Sequence, residues 1–136
     1  MHTTNYQNTF IAIADDCPGT GGAVPPLKAD APGIAALQLG MVQDAPYVHT
    51  SDDVLFAVYA ARTGIAEDAM EGERTKFFSK GQPCFRASPL TKRWGWGVHS
   101  DAEGKIATYA AGSPEYKKLA ADASVKQVKA MRNKRA

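Results

Sequence analysis

KFFSKGQPCFRASPLTKRWGW, residues Lys76–Trp96, runs on into Gly97-Val98-His99 and carries five cations and five aromatics without one carboxylate. Both tryptophans of the chain lie in it, together with Cys84 and His99. Two extended segments are expected here, Pro83–Ser88 between turn signals and then Arg93–His99. Successive side chains of a strand point to opposite faces. Trp94, Trp96 and Val98 then share one face, and Arg93, Gly95, Gly97 and His99 the other. In Pro83–Ser88 the same alternation groups Cys84, Arg86 and Ser88. If the two strands pair, Arg86, Arg93, His99, Ser88 and Cys84 ring a groove floored by Gly95 and Gly97, with Lys92 beside it. Two glycines on one face leave bare backbone, which a ligand or a tightly packed helix can approach closely.

Outside this stretch the signals alternate between strand and helix. Tyr6–Ala14 holds Phe10, Ile11 and Ile13 with little polar interruption and reads as a first strand, ended by Asp15-Asp16-Cys17-Pro18. Glycines and prolines make Pro18–Pro32 a surface loop. Its Gly-Thr-Gly-Gly lacks the Gly-Lys-Ser/Thr ending of a phosphate loop. A helix is expected over Pro32–Gln43 on the stripe Ile34, Leu37, Met41. For residues 54–61 the run Val-Leu-Phe-Ala-Val-Tyr also suits a strand. The cap at Thr50 or Ser51, the acids Asp52 and Asp53, and Gly64 just past the end favour a helix. Glu67–Arg74 reads as a charged linker. Ser100–Gly104 reads as a hairpin loop, and Lys105–Ala110 as the returning strand. Ser113-Pro114 opens a short helix, and Ser124–Arg132 suits a last one that buries Val125, Val128 and Met131. The expected fold is a single α+β domain over residues 1–136, a mainly antiparallel sheet with helices packed on one face.

A chain of 136 residues, 44% hydrophobic and 22% charged, suits one globular core without staples. The opening MHTTNYQNTFIAIADD has no basic leader, and no run approaches the ~18 apolar residues of a membrane span. The cytosol is the expected compartment, with no membrane partner. Cys17 and Cys84 lack the spacing of a zinc or redox motif and read as free thiols, and His2, His49 and His99 are scattered. No metal or cofactor is expected. The net charge of +2 is unevenly placed: residues 1–75 set three cations against ten acids, −7, and residues 76–136 thirteen against four, +9. Such asymmetry marks either an anion-binding face or two halves that neutralise one another on packing.

FFSKGQPCFRASPLTKRWGWGVHSDAEGKIATY (Phe77–Tyr109) resembles a family of short uncharacterised, mostly bacterial proteins, a domain of unknown function sharing the FFSKGQPC, RASPL, KR, GWG and H elements. The likeness takes in HTTNYQNTFI at His2–Ile11, TSDDVLF at Thr50–Phe56 and SVKQVKAMRNKR at Ser124–Arg135. It implies no activity, cofactor or catalytic residue.

The residues themselves favour a small binding module for a phosphate- or carboxylate-bearing molecule, since arginines with hydroxyl and backbone donors suit such anions. Arg86, Arg93, His99, Lys92, Ser88, Cys84, Gly95 and Gly97 would form the groove. Three alternatives stand beside it. Trp94 and Trp96 could stack the bases of a single-stranded nucleic acid or simply anchor the core. Cys84 with His99 could form a thiol nucleophile and its base. The opposite charges of the two halves could serve self-association. No reaction is singled out among them.

Overall fold

The structure, a computed structural model, describes residues 2–18, 21–25 and 33–134. Its centre is a four-stranded sheet in the order β3-β2-β1-β4. Strands β1 (Thr9–Ala12), β2 (Trp96–Ser100) and β3 (Ile106–Ala110) pair antiparallel, and β4 (Lys126–Lys129) lies parallel to β1. The helices are α1 (Ile34–Asp44), α2 (Ser51–Thr63), α3 (Met70–Phe77), α4 (Pro89–Lys92) and α5 (Pro114–Ala120). The chain is α+β with a mostly antiparallel sheet, as its patterning indicated.

The alternation expected for β2 holds from Trp96 onward. Trp96 and Val98 enter the main core with Ile11, Leu39, Val54 and Ile106, beneath α1, α2 and α4. Gly97 and His99 face the opposite side, where the sequence placed no helix and α5 adds one. Tyr116 of α5 packs edge-on against Phe10, ring centroids 5.0 Å apart, and its hydroxyl accepts the Ile13 N–H at 3.0 Å.

Residues 54–61 are helical, and local chemistry explains why. The Thr50 hydroxyl accepts the Asp53 N–H at 3.1 Å, while the Asp53 carboxylate accepts the Thr50 N–H at 3.0 Å. That reciprocal pair satisfies two N–H groups left open by the helix start. At the other end Gly64 takes the left-handed conformation, and Ile65 joins Phe56 and Phe78 in a second small cluster. Asp30, Pro32 and most of the expected Pro18–Pro32 loop lie outside the described residues.

Four expectations are corrected. Pro83–Ser88 is not a strand: Phe85–Ala87 forms a 3-10 turn, and the Ser88 hydroxyl caps α4 by accepting the Leu90 N–H at 3.1 Å. The second strand starts only at Trp96, because α4 consumes the residues before it and Gly95, at φ 81°, turns the chain. Glu67–Arg74 is no linker but a 3-10 turn leading into α3. Ser124–Arg132 is no helix. The outer edge of β1 lacks a partner until β4 pairs with it, the Lys126 N–H donating to Asn8 O at 2.8 Å and the Ala130 N–H to Ala12 O at 2.8 Å. Of the supposed buried stripe Val128 reaches the core, while Met131 is 51% exposed.

Gly97 is required by contact. A Cβ there would lie 2.6 Å from Phe10 Cζ and 2.7 Å from Tyr116 Cε2, both ring atoms held by the packing of α5. Gly97→Ala gains about 0.5–1 kcal/mol from a stiffer unfolded chain but loses about 1–3 kcal/mol to overpacking. Its urea unfolding midpoint is expected below that of the wild type; an equal or higher midpoint would show that α5 yields freely.

Candidate functional site

The eight residues expected to form one groove are divided by the sheet. His99 and Gly97 sit on the α5 side, and the space above Gly97 is filled by Phe10 and Tyr116. The close visitor at that bare backbone is the protein's own helix. Arg86 lies at the edge of β4, its Nε donating to Lys129 O at 2.7 Å and its carbonyl accepting the Met131 N–H at 2.7 Å. It thus covers the end of an edge strand, where open backbone would invite pairing. Arg93 is exposed and Lys92 half-buried. Gly95 forms the bend into β2. Trp96 is buried with its indole N–H donating to Ala23 O at 2.9 Å, so this ring offers no stacking surface.

His99 belongs to a different cluster from Cys84. Tyr47 in the α1–α2 connection places its hydroxyl 2.8 Å from His99 Nδ1 and 2.7 Å from the Tyr109 hydroxyl. Tyr47 holds φ 60°, uncommon for a residue with a side chain, and its N–H donates to Ile106 O at 2.8 Å. Burial, then the Tyr109 hydroxyl, pushes the Tyr47 phenol well above its ordinary range. Burial holds the His99 imidazole below its usual range, against the pull of the Asp101 and Asp122 carboxylates.

Cys84 and Ser88 line one cavity, on the helical side of the sheet. A cavity of about 420 Å³ opens between α1, α2, the end of α3 and the segment from Gln82 to Pro89. Its walls are largely carbon, with Leu55, Val58, Tyr59 and Phe77 on one side and Pro83 and Ala87 on the other. The rings of Tyr59 and Phe77 stand 4.7 Å apart. At its back the buried pair Gln38 and Ser88 is tied by a hydrogen bond of 2.5 Å from the Ser88 hydroxyl to Gln38 Oε1. Ile34 and Tyr59 on its lining are among the large hydrophobic residues left exposed, at 38% and 39%.

Among the described residues that line the cavity Arg62 alone is charged, and no carboxylate does so. Nor does any described carboxylate lie within ion-pair distance of its guanidinium. Arg62 lies in the last turn of α2, where a cation complements the helix dipole. No local signal marks it as a site residue, because four separate segments have to fold before the cavity exists. Among the described residues no group of three or more His, Cys, Asp and Glu could hold a metal ion, and no helix is long and apolar enough to cross a membrane.

The profile of a family of unknown function, DUF6157, matches the chain over residues 1–136. No curated protein and no solved structure matches it.

The depressed His99 pKa fixes the sign of a pH effect. The unfolded imidazole takes up its proton near pH 6.5 and the folded one only at lower pH, so this group's contribution to stability is present above about pH 6.5 and lost as pH falls below it. The stability difference between wild type and His99→Gln is therefore expected to shrink between about pH 7.5 and about pH 5. Urea unfolding at several pH values checks this; a constant difference would mean that His99 titrates alike in both states.

Proposed function

The protein belongs to that family, from which no activity can be carried over, and we propose on its geometry that it is a binding module for a small amphipathic carboxylate. The apolar body lies against Leu55, Val58, Tyr59 and Phe77, and the acid group meets Arg62 at the mouth. The observation that carries this reading is the cavity with one cation and no acid on its lining. Its volume falls within the range of small-molecule sites, which join apolar walls to a few placed polar groups. The planar guanidinium suits a carboxylate, which it can hold through two parallel N–H donors. Of the residues grouped in the expected groove only Cys84 and Ser88 line this cavity, and its charge comes from Arg62 rather than Arg86, Arg93 or Lys92.

The cavity walls include residues from α1, α2 and α3, elements that separate on unfolding, so an occupant binds the folded state alone. It then stabilises the protein by mass action, by about 2.7 kcal/mol at a hundredfold excess over Kd. Dodecanoate is expected to raise the melting temperature with concentration, and dodecanol at equal concentration to raise it less. Arg62→Gln brings the acid down to the level of the alcohol, a loss of roughly tenfold in affinity, as for a hydrogen bond to a charged group at a half-open site. Equal stabilisation by acid and alcohol in the wild type, or none by either, would contradict the reading.

A further inference from the structure

Beside the apolar cavity lies a second one of about 350 Å³, lined by Thr3, Thr4, Asn5, Tyr6, Gln82 and Cys84. Gln82 and Cys84 line both. The two spaces therefore share a partition of two side chains, and they differ sharply in chemistry. The first is walled by carbon with a cation at its mouth. The second presents hydroxyls, amides and a thiol, with no charged side chain among the described residues of its lining.

Two charged groups of opposite sign act on residues of its lining. The Asp52 carboxylate lies behind the threonines, accepting from the Thr3 hydroxyl at 2.6 Å and from the Thr4 N–H at 2.7 Å. Arg86 favours the ionised form of the Tyr6 phenol, although burial and Cys84 outweigh that pull. A site whose lining feels both signs of charge, with hydroxyls and amides for walls, suits a neutral group that both donates and accepts. The Tyr6 hydroxyl has Cys84 Sγ as a partner at 3.4 Å, with Arg86 also acting on its oxygen. Sulfur is a weak hydrogen-bonding partner, so the phenol loses little when a ligand oxygen replaces it.

We infer that the polar cavity is a second subsite for the same ligand, which is a carboxylate carrying a neutral hydrogen-bonding group, a hydroxyl or an amide, at the end opposite the acid. This rests on the reading of the apolar cavity as the carboxylate site. The chain of the ligand passes the partition at Gln82 and Cys84, and its far end meets Tyr6, Thr3 and Asn5. The occupant is bola-shaped, polar at both ends and apolar between, rather than a simple fatty acid.

Calorimetric titration with dodecanoate and with ω-hydroxydodecanoate separates the two claims. The hydroxy acid is expected to bind wild type roughly threefold to tenfold more tightly, the range of one neutral hydrogen bond. Tyr6→Phe, with its fold checked by circular dichroism, reduces that preference. Equal affinity of the two acids for wild type overturns the second subsite and leaves the first; binding of neither overturns both. Should Tyr6→Phe fail to fold, isotope-filtered NOEs in the wild-type complex replace it. Contacts from the ω-methylene protons to the Tyr6 ring and Thr3 methyl support the subsite, and their absence from a saturated complex overturns it.

Discussion

Asp52 holds the amino-terminal segment against the start of α2, and the polar cavity depends on that attachment. Its carboxylate accepts three hydrogen bonds, from the Thr3 hydroxyl, the Thr4 N–H and the Thr4 hydroxyl, at 2.6, 2.7 and 2.6 Å. Its own N–H donates to Asn5 Oδ1 at 2.9 Å. Hydrogen bonds to a charged group contribute about 1.5–3 kcal/mol each when partly shielded, so this one side chain fixes the path of residues 3–5. Asp53 next to it points elsewhere. It closes the helix cap with Thr50 and pairs with Arg74 at 3.0 Å, whose guanidinium lies over the rings of Phe56 and Phe78. Two adjacent aspartates thereby bind one helix start to the amino terminus on one side and to α3 on the other. The first attachment builds the wall of the polar cavity, and the second sets Phe77 in the wall of the apolar one.

The segments that were legible are those whose signals are local. Thr50, Asp53 and Gly64 announce α2 from both ends, and Ser113-Pro114 announces α5. Ser88-Pro89 carries the same cap-and-proline signal and starts α4, but the alternation of Cys84, Arg86 and Ser88 imitates a strand. β4 was illegible for another reason. Val125, Val128 and Met131 have helical spacing, while the strand forms only because β1, more than a hundred residues earlier, presents an open edge. Gln127 shows the tertiary control, its side-chain amide donating to Leu119 O at 2.7 Å at the end of α5.

The site was legible only in part, and the concentration of aromatic and basic residues in Lys76–Trp96 explains why. Phe85, Leu90 and Trp96 from that stretch are core residues, and Arg86 guards a strand edge. Cys84 and Ser88 reach the cavity because the turn and the short helix bring them under α2, not because a strand aligns them. Arg62 sits in the acidic half of the chain and carried no mark of function. The two halves meet through a few local contacts: Asp15 pairs with Lys129 at 2.9 Å, and the Asp16 carboxylate accepts the N–H groups of Asn133 and Lys134 at 2.9 Å. The acidic end of β1 and the basic end of the chain thus meet where the two halves close on one another.

The sheet thereby separates two kinds of chemistry. On one side a histidine and two tyrosines form a half-buried network that stiffens the connection between α1 and α2. On the other an open cavity collects apolar side chains from three helices under a lone arginine. A crystal structure of the protein grown with dodecanoate tests the assignment most directly. Electron density for the carbon chain between Val58 and Phe77, with the carboxylate on Arg62, is the predicted result. An occupied molecule on the His99 side of the sheet, or an acid group turned away from Arg62 and buried toward Gln38, would contradict it.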